Sequence, residues 1–267
     1  MIKEIGIIGA IAGDVIGSSY EFDNIKSTDF ELFRTGTEFT DDSILTVATM
    51  DVLNKNDINY GYTQAYQNFS RKYPSVYGDG FCKWRDSDDP QPYNSWGNGS
   101  AMRVGPVGWA FNSIEEVMAE AKRSAEVTHN HPDGIKGAQA TAASVFMART
   151  GRNKDEIVSF ISETFGYDLE QTVSEIRSSP RFDERCQSTV QESIISFLES
   201  SDFENAIRLA ISLGGDSDTI ACITGSIAGA FYKEIPEHIA QKVLGYLPKE
   251  FLDIITDFSK KYPPVVS

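Results

Sequence analysis

The sequence predicts an all-α protein, and two observations lead to that prediction. Apolar residues recur at helical spacing through most of the chain. No segment shows the sustained alternation of apolar and polar residues that strands require. The 267 residues are enough to bury a sizeable core, and no linker divides them. We therefore expect one helical domain over residues 1–267.

The first predicted helix, residues 5–19, is apolar and carries glycine at every fourth position from Gly9 to Gly17. One face of this helix therefore lacks side chains, and another helix can approach it closely. The predicted helix 216–231 repeats the spacing with Gly225 and Gly229. We expect these two helices to pack together in an antiparallel arrangement.

Helical periodicity also predicts helices further along the chain. They cover residues 41–55, 114–127, 133–150, 154–165, 187–200, 203–213, 237–246 and 249–260. Residues 73–112 are rich in glycine and hold all three tryptophans, so we interpret them as an ordered, functional loop. Residues 177–186 read as a plain connection.

Two acidic clusters stand at the starts of predicted helices. FTDDS (39–43) precedes one apolar run, and GGDSDT (214–219) precedes another. Aspartate at a helix start is often simple capping. However, side chains in a helix lean toward its N-terminus, so carboxylates in a first turn project into the space before it. If the two clusters face each other, four carboxylates share a small volume, and divalent cations would remove their repulsion.

The antiparallel helix pair would also bring Glu21 beside Asp216 and Asp218, which adds a fifth carboxylate. Carboxylate and hydroxyl oxygens are hard ligands, and neither FTDDS nor GGDSDT contains a cysteine. Such a site suits Mg²⁺, Mn²⁺ or Ca²⁺, and four carboxylates can hold two of these ions.

Two further segments carry candidate binding residues. In SWGNGSAMR (95–103), the glycines free backbone N–H groups to cradle a phosphate, and Trp96 can stack on a base. Arg103 can pair with phosphate or with a carboxylate of the protein itself. In THNHPDG (128–134), the histidines can bind phosphate or transfer protons, or can simply be hydrogen-bonded turn residues.

Composition limits the partners and the compartment. Asp and Glu number 39 against 24 Lys and Arg, a net charge of −15, which argues against a broad nucleic-acid surface. The three cysteines are widely spaced, which is typical of idle thiols in a reducing compartment. No apolar stretch reaches the roughly 18 residues of a membrane span. We expect a cytoplasmic protein, monomeric and without a membrane anchor.

Five stretches together resemble the ADP-ribosylglycohydrolase family, whose members are similar to dinitrogenase reductase-activating glycohydrolase. In chain order they are GAIAGDVIGSSYEF, FTDDS, GNGSAMR, THNHPDGIKGAQA and GGDSDT, between residues 9 and 219. The resemblance implies a compact orthogonal helical bundle with two Mg²⁺ or Mn²⁺ ions in a cleft. It also implies hydrolysis at C1 of the distal ribose, which releases ADP-ribose from an ADP-ribosylated protein or small molecule.

The resemblance also assigns roles to residues of this chain. The metal ligands would be Thr40, Asp41, Asp42, Asp216, Asp218 and Thr219. The catalytic carboxylates would be Asp41, Asp42 and Glu21. The substrate-binding residues would be Trp96, Asn98, Gly99, Ser100, Ala101, Met102 and His129. The SYE element (19–21) leans toward the branch of the family that acts on serine or other O-linked acceptors, and the 73–95 loop would set acceptor specificity.

Three alternative functions compete with hydrolysis of ADP-ribose linkages. The first is an ADP-ribose-binding module without catalysis, although the full set of acidic residues argues against this. An Mg²⁺-dependent prenyl-diphosphate enzyme would need D-D-x-x-D, whereas Asp42 is followed by SILTV. A purely structural helical protein would leave the two matching Thr/Asp clusters unexplained.

Overall fold

The structure, a computed structural model, describes residues 5–178 and 183–263. Its α-helices are α1 (Gly9–Gly17), α2 (Asp41–Lys55), α3 (Tyr62–Lys72), α4 (Asp79–Arg85), α5 (Gly99–Met102), α6 (Gly105–Ala110), α7 (Ile114–Glu126), α8 (Pro132–Arg149), α9 (Lys154–Phe165), α10 (Val173–Ser178), α11 (Cys186–Glu199), α12 (Phe203–Ser212), α13 (Ser217–Tyr232), α14 (Glu237–Tyr246) and α15 (Lys249–Lys261). Short 3-10 turns at Ile5–Ile8 and Ser18–Tyr20 flank α1.

The all-α prediction is confirmed. Over the described ranges the chain forms no strand, and its single extended pairing is an isolated bridge between Gly97 and Arg185. None of the helices described is both long and apolar enough to cross a bilayer.

The helices α1 and α13 form the centre of the molecule and run antiparallel, as the glycine spacing predicts. A Cβ added to Gly9 would lie 2.1 Å from the carbonyl oxygen of Gly225, and one added to Gly13 would lie 1.9 Å from that of Ala221. Every residue of α1 is buried, and so is α13 from Ser217 to Ala230. Because the two backbones touch, the ends of these helices are held at a fixed separation.

The loop predicted for residues 73–112 is wrong in part, because α4, α5 and α6 lie within it. These helices have four to seven residues, too few to show a periodic stripe, and close packing holds them. A Cβ on Gly105 would lie 2.1 Å from the Ser226 hydroxyl of α13, and one on Gly108 would lie 2.7 Å from the Ala142 carbonyl of α8. The sequence reading also missed α3 and α10.

Candidate metal centre and active-site cleft

The first turn of α2 is tied to α1 through Asp14. Oδ1 of Asp14 accepts a hydrogen bond from the Thr40 hydroxyl at 2.6 Å, and Oδ2 accepts from the backbone N–H of Thr40 at 3.0 Å and of Ser43 at 3.1 Å. The Ser43 hydroxyl also donates to Oδ2. The hydroxyl oxygen of Thr40 in turn caps α2, accepting from the Asp42 N–H at 3.4 Å. Asp14 therefore fixes the position of the TDD segment.

The start of α13 is shaped by a turn of two glycines. Gly214 and Gly215 have φ of +69° and +75°, a left-handed conformation that favours glycine. Asn24 binds this turn: its Oδ1 accepts from the Gly215 N–H at 2.7 Å, and its Nδ2 lies 3.0 Å from the Gly215 carbonyl. The same Nδ2 lies 2.7 Å from the Tyr20 carbonyl and 2.8 Å from the Glu21 carbonyl. Asn24 thus fastens the Glu21 segment to the turn that precedes Asp216.

These arrangements bring carboxylates together in two groups that share Asp218. Oxygens of Asp14, Asp42 and Asp218 lie within 4.8 Å of one another, and so do oxygens of Glu21, Asp216 and Asp218. The Thr219 hydroxyl donates to Asp42 Oδ2 at 3.2 Å. Asp42 Oδ1 is buried and has no hydrogen-bond partner among the residues that the structure describes.

Across the residues that the structure describes, burial and neighbouring carboxylates have the largest effects on the pKa values of Glu21, Asp42 and Asp218. Burial raises the pKa of Asp42 and Asp218 well above the usual range, and the charges of Asp14 and Asp216 respectively raise it further. Burial, followed by the charge of Asp216, raises the pKa of Glu21 to about 7. Divalent cations would stabilise the ionised forms, and the donors are hard oxygens that suit Mg²⁺, Mn²⁺ or Ca²⁺. The partnerless Asp42 Oδ1 gives such an ion a free ligand atom, so the residues present fit a metal.

Other predicted ligands occupy less direct positions. Asp41 and Thr219 line the cleft, but Asp41 belongs to neither carboxylate group. The Thr40 hydroxyl is directed at Asp14. Ligation by these residues stays a prediction. The sequence reading missed Asp14, although a lone aspartate inside an apolar, glycine-rich helix was the available signal.

The opposite wall of the cleft carries part of the predicted substrate site. Asn98, Gly99, Met102 and His129 line it. Asn98 Nδ2 donates to Asp216 Oδ2 at 2.6 Å, so the glycine-rich turn is joined to the acidic cluster. Three predicted residues do not line the cleft. Trp96 is 58% exposed, the Ser100 hydroxyl donates to the Gly134 carbonyl at 2.7 Å, and Ala101 is buried in the core.

The segment after residue 182 is more than the plain connection that the sequence suggested. The Glu184 carbonyl accepts from the Asn98 N–H at 2.9 Å, and the Cys186 N–H donates to the Trp96 carbonyl at 2.9 Å. Glu184 lines the cleft, and the sequence reading missed it. Sequence spacing carried no signal for this pairing, because it joins segments almost 90 residues apart.

The cleft encloses about 300 Å³. The predicted specificity loop supplies a large part of its wall. These lining residues are Val76, Tyr77, Gly78, Gly80, Phe81 and Tyr93. The cleft therefore joins a carboxylate floor to a glycine-rich turn and an aromatic rim.

Comparison with known proteins identifies this architecture. The family model described as ADP-ribosylglycohydrolase matches residues 6–263. The chain belongs to the ADP-ribosylglycohydrolase family. This confirms the resemblance seen in the sequence motifs and, with it, the hydrolase class.

Relatives of the chain include both ADP-ribosylhydrolases and an ADP-ribosylarginine hydrolase. ADP-ribosylhydrolase ARH3 of Homo sapiens is 27% identical, over 92% of this chain and 90% of its own length. ADP-ribosylarginine hydrolase Tri1 of Pseudomonas putida is 24% identical, over 85% of this chain and 69% of its own. A solved structure titled "ADP-ribosylglycohydrolase-related protein complex" superposes with a TM-score of 0.70 at 21% identity, covering 96% of both chains. That structure supports the family's all-α fold.

Proposed function

We propose that this member of the ADP-ribosylglycohydrolase family uses two Mg²⁺ or Mn²⁺ ions to cleave the glycosidic bond at C1 of the distal ribose. The products would be free ADP-ribose and an unmodified protein side chain or small acceptor. The observation that supports the proposal best is the pair of carboxylate groups that share Asp218 at the floor of the cleft.

Asp42, Asp216 and Asp218 are the residues that we expect to hold the ions, with Glu21 at the edge of the site. Thr40, Asp41 and Thr219 would complete the ligand set. When bound, the ions would supply Lewis-acid charge that orients the ribose hydroxyls and stabilises negative charge on the attacking or leaving oxygen. Asp14 would contribute indirectly, because its four hydrogen bonds hold the start of α2 in place.

Glu21 is our first choice for the general base. It is half-buried, whereas Asp42, Asp216 and Asp218 are buried, so it can reach a water that enters the cleft. In the metal-free protein burial raises the pKa of Glu21 to about 7, and bound cations would lower it and favour the carboxylate, which is the form that accepts a proton. Glu21 would take a proton from the attacking water as the bond to the acceptor breaks, and an acidic group of the cleft that does not ligate metal would protonate the leaving atom.

The turn from Asn98 to Met102 and His129 would bind the diphosphate and ribose. This turn is joined to the acidic cluster by the Asn98–Asp216 hydrogen bond, so substrate bound there would be placed against the carboxylate floor. The SYE element favours an O-linked acceptor such as serine. A monomeric state and a cytoplasmic location stay predictions from the sequence.

A release assay tests the proposal. The protein is incubated with serine-linked and arginine-linked ADP-ribosylated peptides and with O-acetyl-ADP-ribose, each in Mg²⁺, Mn²⁺ or EDTA, and free ADP-ribose is quantified. We expect metal-dependent release from at least one substrate. The Asp42→Asn variant should be inactive, whereas Asp257→Asn, at a carboxylate 69% exposed on α15, should match the wild type.

Two outcomes would contradict the proposal. Release that is unchanged in EDTA would exclude a role for the metals. Tight ADP-ribose binding without release from any substrate would favour the binding-module alternative.

A further inference from the structure

A chain of hydrogen bonds runs beneath the cleft wall from Arg103 through Thr128 to His129. Arg103 Nη2 donates to Thr128 Oγ1 at 2.7 Å, and Oγ1 lies 2.7 Å from His129 Nδ1. Arg103 and Thr128 are fully buried and His129 is 5% exposed.

The protons in this chain can be assigned from its donors and acceptors. A guanidinium only donates, so Thr128 Oγ1 uses an acceptor site for Arg103. If His129 Nδ1 also carried a proton, Oγ1 would accept twice and its own buried O–H would have no acceptor, which is costly. Thr128 therefore donates to Nδ1. A neutral imidazole whose Nδ1 accepts carries its proton on Nε2.

The surroundings favour the same neutral form. Arg103 has no carboxylate partner in the described part of the chain, and its guanidinium lies 4.1 Å from the centre of the Tyr66 ring. An uncompensated buried cation beside His129 opposes a second positive charge. Burial lowers the pKa of His129 well below its usual range, and the Arg103 charge lowers it further.

The Nε2 edge of the ring faces the glycine-rich turn. A Cβ added to Gly99 would lie 3.2 Å from His129 Nε2, and one added to Gly97 would lie 3.7 Å from it. His129 lines the cleft, and across the described residues its Nε2 makes no hydrogen bond within the protein. The ring therefore has a free donor in the cleft that the carboxylates also line.

We propose that Arg103 and Thr128 are positioning residues that hold His129 as a neutral imidazole protonated on Nε2, a fixed donor for an anionic oxygen of the substrate diphosphate. The identity of that ligand rests on the proposed function, but the proton assignment does not. The donor adds no charge of its own, so it does not attract the carboxylates that must bind metal.

The proton assignment is tested by ¹⁵N NMR of histidine side chains in the metal-free and Mg²⁺-loaded protein. His129→Asn identifies the signals of His129 among the three histidines. We expect Nδ1 to show the shift of an unprotonated ring nitrogen and Nε2 that of a protonated one. Protonation of Nδ1 in the wild type would overturn the proposal, whether or not any variant folds.

Variants test the chain of hydrogen bonds that links Arg103 and Thr128 to His129. Thr128→Ser keeps the hydroxyl and should keep the tautomer, whereas Thr128→Val removes the donor to Nδ1 and should give a mixture of tautomers. Arg103→Met removes the positive charge beside the ring, so His129 protonated on both ring nitrogens should appear at a higher pH than in the wild type, in spectra recorded over a pH series. An unchanged spectrum in Thr128→Val or in Arg103→Met would overturn the role of that residue.

Measurements of ADP-ribose and adenosine binding test the hydrogen-bond chain separately from the proposed function. Thr128→Val should raise the Kd of ADP-ribose about twofold to fivefold, because only part of the His129 population keeps the Nε2 proton, and leave that of adenosine unchanged. An equal rise in the Kd of both ligands would overturn the proposal that His129 donates to the diphosphate. If the wild-type protein shows the expected tautomer but binds no ADP-ribose, the role of the hydrogen-bond chain is supported and the proposed function is not.

Discussion

Asp218 has a special position among the acidic residues, because its carboxylate belongs to both groups of potential metal ligands. It is buried, and its Oδ1 accepts from the Thr219 N–H at 2.9 Å, so the side chain cannot turn away toward solvent. Without cations it adds to the repulsion in the cluster. Stability and activity should therefore respond in opposite directions when this charge is removed.

We expect Asp218→Asn to lower the rate of ADP-ribose release at least about a thousandfold, since a metal site that stabilises charge by several kcal/mol would be lost. In EDTA at pH 7.5 the same variant should melt at a higher temperature than the wild type, because one buried like charge is gone. Calorimetry and the release assay check both parts. A variant that is inactive but less stable in EDTA would indicate a structural role instead.

Asp14 should behave differently, because its oxygens are already used as hydrogen-bond acceptors by Thr40 and Ser43. In Asp14→Asn one oxygen becomes an NH₂ group that faces these donors. With saturating Mg²⁺, we expect a loss of about 2–3 kcal/mol in the free energy of unfolding, measured by urea denaturation. Asp257→Asn is the matched control and should change it by less than about 0.5 kcal/mol.

Residues of the site differed in how readily the sequence revealed them. The FTDDS and GGDSDT clusters could be found because each combines two closely spaced acids with a helix start. Asp14 was missed because a single acid in an apolar helix looks like a local interruption. Glu184 could not be found, since it reaches the cleft through a pairing with Asn98 that depends on the tertiary fold.

At the level of elements, the contact between α1 and α13 sets the geometry of the site. The close approach at Gly9, Gly13, Gly225 and Gly229 holds the Glu21 end of one helix beside the Asp216 end of the other. A side chain inserted between the helices would have to separate two backbones, which cannot relax as a flexible side chain can.

Gly13→Ala should therefore destabilise the protein by about 3 kcal/mol or more, because the new methyl group would lie 1.9 Å from the Ala221 carbonyl oxygen. Gly245→Ala is the control: it lies in α14, nothing stands within 4 Å of its added Cβ, and it should stabilise by up to about 1 kcal/mol. Urea denaturation measures both. Similar free energies for the two variants would contradict the tight contact.

Long helices with clear termini were predictable from the sequence. The bounds predicted for 41–55, 154–165 and 237–246 agree with α2, α9 and α14 to the residue. The helix α3 was missed although its buried residues follow a helical stripe: Tyr62, Ala65, Tyr66 and Phe69. The short helices α4 to α6 carry no such signal, since a single turn is stabilised by its neighbours and not by its own sequence.

At the level of the whole molecule, the acidic cluster couples stability to pH and metal. The pKa values of Asp42, Asp218 and Glu21 are raised in the folded protein, so these three groups bind more protons in the metal-free folded state than in the unfolded chain. Their contribution to stability is present at low pH and is lost as the pH rises. For Glu21 this loss occurs between its ordinary pKa of 4.5 and its raised pKa of about 7. Bound cations would remove this loss.

We expect the difference in Tm between Mg²⁺-loaded and EDTA-treated protein to grow from pH 5 to pH 7.5, measured by calorimetry at constant ionic strength. The lowered pKa of His129 has the opposite effect on the pH dependence of stability. Because His129 lies outside the carboxylate cluster, this effect is similar with and without Mg²⁺ and largely cancels in the Tm difference. In Asp218→Asn the growth should be strongly reduced. A constant difference across this range would show that the cluster does not bind the ions.

The side chain of Asn24 has a mechanical consequence for the cleft. One amide group contacts the carbonyls of Tyr20 and Glu21 and both backbone polar groups of Gly215. The contacts with Tyr20 and Glu21 lie within one segment, and the contacts with Gly215 join that segment to the turn before Asp216. Movement of Glu21 away from the carboxylates must therefore break either the contacts with Tyr20 and Glu21 or those with Gly215, so a single amide group ties the two sides of the acidic cluster together.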